Sequence, residues 1–139
     1  PMSRRVVLDA SGALEAVLRR PRGVAVLDLL EGAHTVTAPT LFSAEVANAL
    51  WKHVRAGDLT GEQALGAFEK ALQLVDSLND SSELVGEALV AASTFDHPVY
   101  DALYAVLARR TGAAVCTPDR RLKSLLAEMR VSDSDVGAG

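Results

Sequence analysis

The sequence predicts an α/β fold, a sandwich with a short, mostly parallel central sheet of about four to five strands between layers of helices. Two observations predict it. Short apolar runs such as Val6-Val7-Leu8 and Ala113-Ala114-Val115-Cys116 alternate with longer stretches whose apolar residues recur at helical spacing. No hairpin turn signal joins one run to the next, so helices make the connections and the strands run parallel. A chain of 139 residues fits one domain. Residues 1–131 are read as that domain, and the small, polar stretch 132–139 as a flexible tail.

The elements follow in order. Val6-Val7-Leu8 reads as a strand buried on both faces, ended by Asp9. Ser11 is placed to cap a helix through Leu14, Val17 and Leu18, which Pro21 breaks. A second helix carries Val24, Leu27, Leu29 and Leu30 and stops at Gly32. His34–Ala38 is the second strand, closed by Pro39. Thr40 is a plausible cap for a helix from Leu41 to Arg55, with Gly57 beyond it. Thr60 and Glu62 open a helix to about Val75, and Ser81 or Ser82 the next, through Leu89. Asp96-His97-Pro98 reads as a capped start for a helix carrying Leu103, Val106 and Leu107, which stops at Thr111-Gly112. A strand over Ala113–Thr117 follows. Pro118 begins the last helix, with Leu122, Leu125 and Leu126, and a short strand near Met129–Ser132 closes the chain.

Composition narrows the function. The chain is 49% hydrophobic and 23% charged, near the globular average, which argues against disorder. A net charge of −4 excludes a binder that holds nucleic acid through a uniformly basic surface. The single cysteine, Cys116, excludes a disulfide framework or a cysteine-rich zinc site. No apolar run reaches the roughly 20 residues of a membrane span. The opening Pro1–Asp9 segment has an apolar run too short for a signal peptide. The expectation is a cytoplasmic protein that does not engage membranes.

Ligands of parallel sheets bind outside the carboxyl ends of the strands. Asp9 ends the first strand, and Asp119 follows the Val115-Cys116 strand. Glu45 lies in the second turn of the helix after the second strand, and Asp101 near the start of the helix that feeds the Ala113–Thr117 strand. All four should converge on one sheet edge. Singly, each has an ordinary role as a strand end, a first-turn acid or a solvated helix residue. Together they repel one another, and a hard divalent cation such as Mg²⁺ or Mn²⁺ relieves the repulsion. Such a site suits phosphodiester hydrolysis.

These residues resemble the PIN domain, and within it the VapC toxins of bacterial toxin–antitoxin pairs. The resemblance runs from about Val6 to Leu126 and rests on Val6-Val7-Leu8-Asp9-Ala10-Ser11, Ala38–Leu50 with Glu45 and Asn48, Tyr100-Asp101-Ala102-Leu103-Tyr104, and Val115-Cys116-Thr117-Pro118-Asp119-Arg120-Arg121-Leu122. It implies a Mg²⁺- or Mn²⁺-dependent endoribonuclease in which Asp9, Glu45, Asp101 and Asp119 match the acidic quartet. It implies further that Thr117 matches the hydroxyl residue before the last acid, with Ser11 and Asn48 as supporting partners. It also implies a homodimer and a VapB-like antitoxin whose C-terminal segment lies across the active-site groove. Pro118 departs from the pattern, which usually has a small non-proline residue there.

Arg120 and Arg121, beside the predicted metal site, are the candidates for RNA contact. Arg19, Arg20 and Arg22, and Arg109 with Arg110, are read as complements to helix C-termini. Trp51, Tyr100 and Tyr104 are read as core or interface. His34, His53 and His97 show no metal-ligand spacing, and Cys116 reads as an inert core residue. The alternatives are a silent PIN-like interaction module, and a phosphoryl-accepting or phosphatase domain on a similar sheet. The latter lacks a second acid two positions after Asp9, where Ser11 stands, and a lysine beside Thr117. Without the four acids, 14 basic residues face 14 acidic ones, so the net charge of −4 resides in the proposed site.

Overall fold

A computed structural model describes residues 4–137. Pro1–Ser3 at the chain start, and Ala138 and Gly139 of the expected tail, lie outside the described residues. Five strands form one parallel sheet: β1 (Arg5–Leu8), β2 (Thr35–Pro39), β3 (Ser77–Asn79), β4 (Ala114–Cys116) and β5 (Asp133–Ser134). Their order is β3-β2-β1-β4-β5. Val7 pairs with Thr37 on one side and Val115 on the other, so β1 is the central strand. Val6, Val7 and Leu8 are fully buried, as a continuous apolar strand between two helical layers should be.

The chain winds outward from β1 in both directions, and right-handed crossovers assign each connection to a face. On one face lie α1 (Ala10–Val17), α2 (Gly23–Glu31), α3 (Leu41–Arg55) and α4 (Gly61–Gln73). On the other lie α5 (Val85–Phe95), α6 (Val99–Thr111) and α7 (Arg120–Met129). The contacts agree: α1 packs on α2, α3 and α4, while α6 packs on α5, α7 and the three middle strands. Every residue of α6 from Ala102 to Ala108 is buried. Its alanines at 102, 105 and 108 let this helix lie close over the sheet. Among the described residues no helix is long and apolar enough to cross a membrane.

Several local expectations shift. Asp9, not Ser11, caps α1: its side chain accepts from the Gly12 N–H. Asp96 does not cap α6 but ends α5 in a left-handed conformation, and Pro98 stands at the N-cap of α6. Thr40 leaves α3 uncapped and bonds instead with Ser81. Thr60 and Gln63 form a full capping box on α4. The segment from Ser132, expected to fray, pairs through β5 with β4 and buries Val136 in the core. Lys123 clasps Asp133 at 2.9 Å, fastening this segment to α7.

The chain reverses between α1 and α2 through Arg19, which takes a left-handed φ of 55°. The two helices then meet so closely that a Cβ at Gly23 would stand 2.4 Å from the carbonyl oxygen of Glu15. Both partners are backbone, so neither can yield cheaply. Gly23→Ala should therefore destabilise the fold by about 2 kcal/mol, through overpacking that shifts α2. Urea unfolding of the two proteins measures it, and equal midpoints would contradict this contact.

Candidate active site

The sheet order reverses between β1 and β4, which opens a crevice beyond their carboxyl ends. A cleft of about 290 Å³ occupies it, lined by Asp9, Ser11, Glu45, Asn48, Asp101 and Asp119 together with Lys52 and Tyr104. The four acids expected to converge do meet, each from a different element. Asp9 comes from the end of β1 and Asp119 from the cap of α7. Glu45 comes from α3 on one helical layer, and Asp101 from the first turn of α6 on the other.

Asp9 is buried and held on three sides. Its Oδ1 accepts from the Gly12 N–H at 2.8 Å. Its Oδ2 accepts from the Ser11 hydroxyl at 2.8 Å and the Thr117 hydroxyl at 2.6 Å. Thr117, wholly buried, also accepts from the Asp119 N–H at 3.0 Å, so one hydroxyl ties both acids together. Pro118 is buried between them, and its ring disfavours a helical conformation at Thr117. Asp119 stays in the cleft with Pro118 in place. One of its oxygens accepts from the Arg121 N–H, capping α7.

Glu45 accepts a 2.5 Å hydrogen bond from the Tyr104 hydroxyl. Burial and the neighbouring Glu45 push the Tyr104 phenol far up, so it remains a donor. Tyr104, expected in core or interface, is buried in the core and also positions a site carboxylate. Lys52 is a further lining residue that the motifs do not include. Spacing signalled both: Tyr104 lies three residues after Asp101, and Lys52 lies four after Asn48 and seven after Glu45, on one helix face. Arg121 faces Asp101, its Nε 3.4 Å from Oδ2, while Arg120 points into an adjoining hollow. Trp51, expected in core or interface, is 52% exposed. Cys116 is buried, and its thiol is pushed up to about 12, chiefly by desolvation.

Burial raises Asp9 to about 7. The hydrogen bonds from Thr117, Gly12 and Ser11 oppose this, while the charge of Asp119 adds to it. Glu45 is raised by burial against the Tyr104 hydrogen bond, with Asp101 and Asp119 adding repulsion. Asp101 is raised by burial and by Asp119, against Arg121. Keeping Asp9 ionised above pH 7 thus costs the fold on the order of 4 kcal/mol. A cation would offset that cost.

The donors fit a hydrated divalent ion. All are hard oxygens, and Asp101 Oδ2 is buried without a hydrogen bond, since Arg121 lies at ion-pair rather than good hydrogen-bond distance. Among the described residues no three acidic, His or Cys side chains are grouped tightly enough to cage an ion by themselves. An ion here would therefore need water or substrate oxygens to complete its coordination.

Known proteins give this geometry a context. The sequence pattern of the PIN domain matches residues 6–126. The chain is 31% identical over 120 residues to Ribonuclease VapC3 of Pyrobaculum aerophilum, covering 85% of this chain and 92% of that protein. Its fold resembles the crystal structure of PAE2754 from Pyrobaculum aerophilum, with a TM-score of 0.71 at 24% identity, covering 89% of this chain and 86% of that one. It also resembles VapBC2 from Rickettsia felis bound to a DNA fragment from their promoter, with a TM-score of 0.63 at 18% identity, covering 87% and 92%.

The raised carboxylates fix a sign. Between about pH 4 and 7 the native state holds a proton on Asp9 that the unfolded chain has released, so stability falls as pH rises through this window. The lowered Glu87 and Asp80 act oppositely, but only as pH falls below their ordinary range near 4. The Tm of metal-free protein should therefore fall from pH 4.5 to 7.5, and Asp9→Asn should remove most of that slope. An unchanged slope in the variant would refute the assignment. Thr117→Val keeps the volume but strips Asp9 and the Asp119 N–H of their shared partner. A loss of about 1–3 kcal/mol is expected in urea unfolding.

Proposed function

Because this chain belongs to the PIN-domain family, with ribonucleases of the VapC type among its relatives, we propose that it is a metal-dependent endoribonuclease, the toxin half of a toxin–antitoxin pair. One observation carries the reading: four carboxylates from four elements line a single cleft at the sheet's switch point. Mg²⁺ or Mn²⁺ is the cofactor, and RNA phosphodiester is the substrate. The cytoplasm is where it acts.

Asp9 and Asp101 would hold the metal, with Asp119 lining the same cleft. When bound, the ion supplies Lewis acidity toward the scissile phosphate and the attacking water. Glu45 Oε1 is held by Tyr104, which leaves Oε2 to accept the proton released by water as it attacks phosphorus. The raised affinity of Glu45 for protons suits this role. Lys52, on the cleft wall, meets the negative charge of the phosphate. Ser11 and Thr117 fix the rotamer of Asp9, and Asn48 extends the polar wall beside Glu45.

The partner is a VapB-like antitoxin whose C-terminal segment lies across the cleft. Beside the cleft, α3 and α4 leave an apolar groove where Trp51 and Leu65 stand exposed, suited to such a segment. A homodimer is expected, and the exposed Val85, Leu89 and Val90 of α5 offer an apolar surface for it.

Purified protein should cut structured RNA with Mg²⁺ or Mn²⁺ and stop on addition of EDTA. Asp9→Asn keeps the volume and removes the charge. Cleavage should fall by well over the roughly hundredfold typical of residues one layer outside a metal. Circular dichroism should show an intact fold. Undiminished cleavage by folded Asp9→Asn protein would sink the metal-site reading.

A further inference from the structure

Beyond the carboxylate cleft, a second hollow of about 340 Å³ opens on the same face. It shares Ser11 and Asp119 with the cleft, so the two are contiguous. Three arginines line it: Arg20, Arg22 and Arg120. In a chain of net charge −4, this is a concentration of positive charge beside an acidic site.

Two of the three arginines, Arg20 and Arg22, are braced. Glu15, with a side chain only 10% exposed, lies between Arg20 and Arg22, at 3.6 and 3.7 Å. Arg20 also donates to His53 Nε2 at 2.8 Å, and His53 Nδ1 is anchored by Asp58 at 3.1 Å. This ordering lowers the entropy that long side chains lose on binding a ligand. One guanidinium would suffice to balance Glu15, and two surround it.

Helix-dipole complementation does not account for these positions. Arg22 is the N-cap of α2 and Arg120 the first residue of α7. Those are the positive ends of helices, where a cation is unfavourable. Neither helix has an acid in its first turn, and α7 has only the capping Asp119, whose carboxylate also faces the acidic cleft. Arg22 and Arg120 thus add positive charge at two positive ends around one hollow, an arrangement that a bound anion stabilises.

We infer that Arg20, Arg22 and Arg120 form a phosphate subsite that holds the RNA backbone next to the bond being cut. This rests on the nuclease reading above and extends it to a second place where the strand is gripped. Phosphate groups match the planar, multi-donor guanidinium, whose contacts position a strand without reading its bases. The subsite sets where the strand lies in the cleft rather than the chemistry of cleavage.

The test uses Arg22→Gln, Arg120→Gln and the double variant, with an RNA oligonucleotide that the wild type cuts. KM should rise about tenfold for each arginine lost, with kcat changing less than about twofold. In an Asp9→Asn background, where binding is read without cleavage, the salt dependence of affinity should flatten by about 1 in slope per arginine. A neutral methylphosphonate linkage, moved along the oligonucleotide, should weaken the wild type at one position beside the cut and leave the double variant indifferent there. The Arg120 side chain makes no hydrogen bond or ion pair among the described residues, so Arg120→Gln alone decides the matter if Arg22→Gln disturbs the fold. Unchanged KM and salt slope would overturn the subsite. So would intact RNA kinetics with weakened binding of the cognate antitoxin, which would make the hollow a site for an acidic protein segment. If the wild type cuts no RNA, the nuclease reading fails, while the binding arm still reports separately on the arginines.

Discussion

The structure turns on one buried carboxylate. Asp9 ends the central strand, caps α1 through the Gly12 N–H, and reaches Thr117 beyond β4. These hydrogen bonds join the first helix and the two strands on either side of the crevice. They do not make Asp9 comfortable as an anion, because desolvation outweighs them. The same contacts that fix the fold at its centre therefore leave a charge that wants a cation. A Gly at position 12 belongs to this economy. A Cβ there would meet the Cys116 carbonyl at 3.1 Å and Asp9 Oδ1 at 3.2 Å, so a larger residue would press on the carboxylate.

The remaining acids are arranged around that point by different means. Asp119 is tied to Asp9 through two hydrogen bonds of the Thr117 hydroxyl, of 2.6 and 3.0 Å. Glu45 and Asp101 come from opposite helical layers, and Tyr104 of α6 reaches across to hold Glu45 of α3. Asp101 has one oxygen buried and unbonded, with Arg121 at ion-pair distance. That oxygen is the one in the cleft that a cation would most directly satisfy.

Much of this was legible in the residues. β1, β2 and β4 announce themselves as apolar or β-branched runs, and the rule for parallel sheets brings Asp9, Glu45, Asp101 and Asp119 to one edge. β3 was not legible, because Ser77-Leu78-Asn79 is a half-polar edge strand without the apolar continuity of a central one. Caps were misread where two candidates compete locally. Asp9 outranks Ser11 because the strand's end, not the helix pattern, decides where α1 begins. The buried Glu15 with its two arginines could not be read at all. That grouping depends on the reversal at Arg19 and the backbone contact at Gly23, which set residues 15, 20 and 22 side by side.

The outer strands carry a last consequence. β3 has three residues and β5 has two, so neither edge offers a row of free backbone groups long enough for another chain to extend the sheet. Growth by strand addition, whether into a fibre or onto a partner, is disfavoured by such short edges. Whatever binds it must instead read side chains on helices and the mouths of its hollows. Recognition is thereby left to side chains that can change without unmaking the sheet.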